Sequence, residues 1–146
     1  RNLATASLSH MQQHNSLPSS GWGYAWVGDP DKGFGRRQPG GWIYSLLPYV
    51  EEANLHSAGK GKTQAEKSKL HALRIQTPLA ILRCPTRNRP DTKPFKKKDY
   101  INISSGDQPS QVATTDYAGN GGSQGFQNSG SNNVKGPGLS ALTDPD

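Results

Sequence analysis

"GWGYAWVGDPDKGFGRRQPGGW", residues 21–42, holds all three tryptophans of the chain, Trp22, Trp26 and Trp42, with seven of its seventeen glycines. Each indole buries roughly 150–250 Å² when covered, so three of them can organise a loop as a small core of its own. Glycines then allow the tight turns and close backbone approaches that larger residues block. Arg36 and Arg37 can stack on indoles or donate to loop carbonyls. The expectation is a self-packed loop over residues 18–42 with Trp42 buried. Trp22, Trp26, Arg36, Arg37 and Trp42 serve either to organise the loop or to bind a ligand. A platform for a surface polysaccharide uses the same residue types and stays open as the alternative.

Either side of this loop the pattern is helical. Residues 2–14, "NLATASLSHMQQH", place Ala4, Leu8 and Met11 on one stripe with Leu3 beside it. Nothing before them caps a helix, so residues 1–16 read as the end of a longer one, stopped before Pro18. On the far side, Pro48 suits the first turn of a helix, Glu51 and Glu52 its positive end, and Gly59 its C-terminus. "TQAEKSKLHALRIQTP" carries a T-x-x-E capping box in Thr63 and Glu66, with Leu70 and Leu73 as the expected buried face.

Short apolar or alternating runs follow. "LAILRC" (79–84), "DYINIS" (99–104) and, more weakly, "VATTDYAG" (112–119) read as strands. Residues 119–138, rich in Gly, Asn and Ser, read as loop. Helices first and strands later, without βαβ alternation, predict one α+β domain over residues 1–146 with an antiparallel sheet.

The bulk composition limits the function. Net charge is +6, mean hydropathy is −0.81 and the apolar fraction is 31%, so the core must be small and the loops large. The single cysteine, Cys84, excludes an intrachain disulfide framework and a thiolate-rich zinc site in this segment. "GKGKT" (59–63) has the ending of a phosphate-binding loop but His56 where the first glycine belongs, and no strand leads into it. His10 and His14 are one helical turn apart without the glutamate of a zinc-binding helix. Asp29, Asp31 and Gly33 have the start of a calcium loop without its later ligands. No metal or cofactor is expected.

Residues 83–98 hold seven basic side chains opposed only by Asp91. Arg87, Arg89, Lys96, Lys97 and Lys98 are therefore candidates for polyanion contact, salt-sensitive and without base preference, on an otherwise solvated loop.

Several motifs together resemble one family. "GWGYAWVGDPDKGFGRRQPGGWIYSLLPYVEE", "NLATASLSHMQQHNSLP", "TPLAILRCPTR" and "TTDYAGNGG" are similar, in the same order, to segments of a bacterial pilin-like family. Its members join a prepilin-type cleavage and methylation motif to a large domain of unknown function, in the manner of type II secretion pseudopilins. "LTDPD" resembles the start of a further family motif, with Pro145-Asp146 in place of Gly-Thr. The resemblance implies a pilin-like roll, in which an N-terminal helix spine packs on a small antiparallel sheet with long loop insertions. It further implies a non-enzymatic subunit at the cell envelope, self-associating or joining other pilin-like subunits in a filament. The expected membrane anchor is an apolar helix half upstream of Arg1, preceded by a short basic leader. No specific nucleic acid is implied.

Overall fold

The computed structural model describes residues 2–96 and 100–119. Four helices and two short strands follow in order. They are α1 (Asn2–His14), α2 (Trp42–Leu46), α3 (Ala53–Ser57), α4 (Gln64–Gln76), β1 (Thr92–Pro94) and β2 (Gln111–Ala113). The class is α+β, an N-terminal helix with a small antiparallel sheet. Lys97, Lys98 and the Gly/Asn/Ser-rich loop from residue 120 onward lie outside the described residues.

Helix α1 ends where Asn15 turns left-handed (φ 53°), a conformation that asparagine tolerates. Its packing inverts the expected stripe. Ala6 and His10 are buried and Leu3 packs on the core, whereas Ala4 is exposed, Leu8 is 54% exposed and Met11 40%. The helix turns towards a group of aromatic rings rather than towards aliphatic side chains.

The helix expected from Pro48 is broken. α2 runs into a 3-10 turn at Leu47–Tyr49, Glu51 takes a φ of 67°, and only then does α3 begin. The Leu47 carbonyl accepts from both Val50 N and Glu52 N, which closes the turn where a helix would have continued. In α4 the capping box forms as read: Thr63 Oγ1 accepts from Glu66 N and Glu66 Oε2 from Thr63 N. The buried face of α4 is nevertheless polar. Lys67, Ser68, His71 and Arg74 are buried with Ala72, while Leu70 is half-buried and Leu73 is 56% exposed.

The strands also fall elsewhere. "LAILRC" is a 3-10 turn at Ala80–Leu82 that buries Leu79 and Leu82, a spacing of three that alternation cannot give. In "DYINIS", Ile103 is buried and Ile101 is 54% exposed. The Asn102 side chain explains why, since its Oδ1 accepts from Val27 N (3.0 Å) and its Nδ2 donates to Val27 O (2.7 Å). One amide side chain thus takes the place of a strand partner, and the segment docks on the Trp/Gly loop instead of entering the sheet. Of the third expected strand only Val112 and Ala113 are extended, within β2, which pairs antiparallel with β1 in the register Thr92↔Ala113, Lys93↔Val112, Pro94↔Gln111. β1 therefore lies inside the basic segment that read as loop. Its proline sits in a two-stranded ribbon, where a missing N–H is tolerated.

Two small cores result. Tyr44, Leu47, Leu79 and Leu82 form one, with Leu3, Trp42 and Leu55 against it; Val27, Ala72 and Ile103 form the other. α4 packs on β2, and α1 packs on α2 and the Leu47–Tyr49 turn. The helix against the sheet is thus α4, a role that the sequence reading gave to the N-terminal helix.

Candidate functional site

The Trp/Gly loop is a folded unit, and α4 is what holds it. Arg74 Nε donates to Leu55 O (2.9 Å) and Nη1 to Gly28 O (2.7 Å). Nη2 donates to Ala58 O (2.6 Å) and, at 3.4 Å, to His56 O. Five fixed donors on a planar fork suit convergent carbonyls, and a lysine could not reproduce the geometry. Two turns before, Lys67 Nζ lies 3.0 Å from Asp29 Oδ1 and also pairs with Asp31 Oδ2. Burial opposes the lysine's charge, but hydrogen bonds to Asp31 and Asp29 outweigh it and hold the ammonium above its ordinary range. The two aspartates with calcium-like spacing thus close on an internal cation. Asp31 also accepts from Gly61 N (3.0 Å), so the backbone of "GKGKT" holds a carboxylate of its own chain.

Gln38 finishes the clamp from within. Its Oε1 accepts from Asp29 N and Gly40 N, both at 3.0 Å, and its Nε2 donates to Asp29 O and Gly33 O. The loop closes so tightly on Tyr44 that a methyl group on Gly28 would overlap the Tyr44 ring. Gly21, at φ 72°, lies against the Pro39 and Gly40 carbonyls where a Cβ has no room. These contacts explain Gly21, Gly28 and Gly40; a Cβ at Gly33 or Gly35 would meet nothing.

The candidate residues take unequal parts. All three tryptophans are half-buried. Trp22 and Trp26 meet edge to face, 5.0 Å apart at 79°, and share no flat surface. Trp22 Nε1 donates to the Arg36 carbonyl (2.8 Å), whereas Trp26 Nε1 is buried without a partner. Trp42 leans on the first core and on Gly119. Arg36 and Arg37 are exposed, and Arg36 serves the loop through its backbone. The guanidinium that organises the loop is Arg74, which sequence reading missed. Its signal was a helix face, Lys67, His71 and Arg74 at i, i+4 and i+7, carrying only long polar side chains.

The basic segment is bound inward as well. Asp116, its side chain 1% exposed, accepts from Cys84 N (2.8 Å) and has Arg89 Nε at 2.8 Å and Arg87 Nη1 at 3.7 Å. Arg83 pairs with Asp91 and reaches Asp116 only at 4.0 Å. The Cys84 amide, then Arg89, Arg83 and Arg87, hold Asp116 below the usual carboxylate range against its desolvation. Arg87 and Arg89 therefore tie the "CPTRNR" loop to "TTDYAG". Lys96 is exposed.

Between the loop, the end of α4 and the sheet opens a cleft of about 650 Å³, lined by Tyr24, Trp26, Trp42, Leu79, Phe95 and Tyr100 among others. It is largely apolar, and Arg74 at its wall already has carbonyl partners. Among the described residues, no group of three or more His, Cys, Asp or Glu side chains is placed to hold a metal ion.

The segments singled out here, the glycine-turned tryptophan loop, "CPTRNR" and "TTDYAG", all fall within a match to one protein family. Residues 1–144 match the family described as "Protein of unknown function (DUF1559)". The chain belongs to this family. No curated protein and no solved structure matches the DUF1559 chain. Among the described residues no helix is long and apolar enough to cross a membrane.

Proposed function

We propose that this DUF1559 chain is the water-exposed part of a non-enzymatic, pilin-like or pseudopilin-like subunit of a cell-surface or secretion assembly. It is anchored through an apolar helix that precedes α1 in the whole protein, and it joins like subunits through α1. The carrying observation is the outward stripe of α1: Ala4 exposed, Leu8 54% exposed and Met11 40% exposed, on a helix whose opposite face is buried. A helix that must pack on its own body with one face and on neighbours with the other needs such a second apolar face. Membership of the family supports an envelope role of this kind.

The test is made on the full-length protein in its own host, with Cys84→Ser as background and single cysteines at Leu8 or Met11. Oxidation should yield disulfide-linked multimers in the envelope fraction, and processing at a prepilin-type site should precede them. Recovery of the chain as an unprocessed or conventionally secreted monomer, with no cross-linking from α1, would overturn the reading.

A further inference from the structure

All four histidines of the chain are buried or half-buried; His10 and His14 meet where α1 joins the body, and Phe34 links His14 to His56. His10 is 0% exposed. Its Nδ1 lies 2.9 Å from the Ser16 carbonyl and so carries the proton, which leaves Nε2 buried without a partner. His14 Nε2 lies 3.0 Å from the Tyr49 hydroxyl, whose own proton goes to Gln13 Oε1. The His10 and His14 rings are 4.6 Å apart, and His14 stacks on Phe34 at 4.2 Å. Phe34 also stacks on His56 at 5.1 Å and 8°, and His56 stacks on Tyr44 at 4.5 Å. The Arg74 guanidinium stands 5.2 Å from the Tyr44 ring centre. One aromatic column thus runs from α1 through the Trp/Gly loop and α3 to α2, and ends at the buried cation of α4.

We propose that this column is an acid-released latch: protonation of His14 and His56 detaches the C-terminal half of α1 while α4 and the loop it clamps stay folded. Among the described residues, the groups that shift the two imidazoles include no carboxylate to balance a second proton. On α1 there is His10; the loop presents Phe34, the 3-10 turn Tyr49 and α2 Tyr44. Arg74 of α4 and Lys60, between α3 and α4, add positive charge at His56. Burial, then His10, lowers the His14 pKa; burial, then Arg74 and Lys60, pushes His56 down to about 4. The sign follows from linkage. Imidazoles that charge more readily once released favour the docked state above their ordinary pKa of 6.5, and that contribution is lost as pH falls below it, for His56 down to about 4.

α4 is held differently. His71, also lowered by burial, loses its own contribution in acid by the same sign, but Arg74 keeps four backbone carbonyls, which do not titrate. α1 has Leu3, Ala6 and the column.

Hydrogen-exchange protection of α1 and α4 amides, compared at about pH 7.5 and about pH 5, tests the latch in a single molecule, independently of assembly. Protection of residues 10–14 should fall about tenfold further than that of α4. The double variant His14→Phe/His56→Phe should abolish that difference. Equal loss in both helices, or no loss in α1, would overturn the proposal. Should the double variant not fold, imidazole titration of the unaltered chain by NMR decides. Midpoints of both imidazoles below the ordinary 6.5 support the latch, and a midpoint of either at or above it overturns the proposal.

Discussion

α1 and α4 are both thirteen residues long and both leave apolar side chains outside, Leu8 and Met11 on α1 and Leu73 on α4. Their circumstances differ. α4 begins with a side-chain cap and sends Lys67, Ser68, His71 and Arg74 into fixed partners on four other segments. α1 has two rings on its inner side and leaves an aliphatic stripe outside. Polar burial in α4 is therefore an internal matter, closed by hydrogen bonds. In α1 the inner contact is a titratable stack and the outer face remains open for association. The same inversion of amphipathicity makes α4 a clamp and, under the proposed function, would make α1 a connector.

Breaking the clamp should have the largest effect. Arg74→Met leaves the carbonyls of Gly28, Leu55 and Ala58 buried without their donor. The expected loss is about 3 kcal/mol or more, read as a lower urea midpoint, with collapse of the Trp/Gly loop seen by tryptophan fluorescence. An unchanged midpoint would remove α4 from its assigned role. Gly28→Ala comes next. Its methyl must displace the Tyr44 ring at the meeting of loop and core, costing about 1–3 kcal/mol with α1 and α4 otherwise intact.

Why Arg74 escaped sequence reading is instructive. The capping box at Thr63 and Glu66 was legible because both partners lie within four residues and their chemistry is local. The indoles among glycines marked the loop as a unit, but not that α4, through Lys67 and Arg74, holds it. Arg74, in contrast, meets Gly28 across 46 positions and Lys67 meets Asp29 across 38, so no window contains both partners. Hydropathy then selected Leu70 and Leu73, the less buried side. β1 was hidden for a similar reason: Thr-Lys-Pro has no alternation to read, and its pairing is fixed by Thr114 N to Asp91 O and Phe95 N to Ser110 O on either side. The basic run was legible as charge, but its inward pairing depended on one aspartate 27 positions beyond Arg89.

That aspartate gives an intermediate test, away from both helices. Asp116→Asn should lower the melting temperature moderately and raise protease cleavage between Cys84 and Asp91, with the α1 and α4 amides unaffected. Because the folded carboxylate is held below its ordinary range, its contribution is present above that range and disappears as acid protonates it. The variant should therefore lose part of the acid sensitivity of this loop. Cleavage that is unchanged in the variant would mean that Arg87 and Arg89 do not depend on Asp116.

The smallest effect on stability is expected at the outer stripe of α1. Leu8→Ser with Met11→Ser exchanges exposed apolar surface for hydroxyls on a helix whose buried contacts, Leu3, Ala6 and His10, are untouched. Exposed substitutions of this kind change stability by about 0.5 kcal/mol or less, so the urea midpoint of the isolated chain should hardly move. Leu73→Ser on α4, 56% exposed, is the matched control, since it alters an outward leucine on the helix already committed to the interior. If α1 is a connector, the α1 variant loses cross-linked multimers in the full-length protein while the α4 variant keeps them. Equal retention would leave the stripe as ordinary surface, and equal loss would place the contact on a face that both helices share. A large fall in the α1 variant's own stability would instead mean that Leu8 and Met11 already pack within the subunit. The contrast between clamp and connector would then disappear.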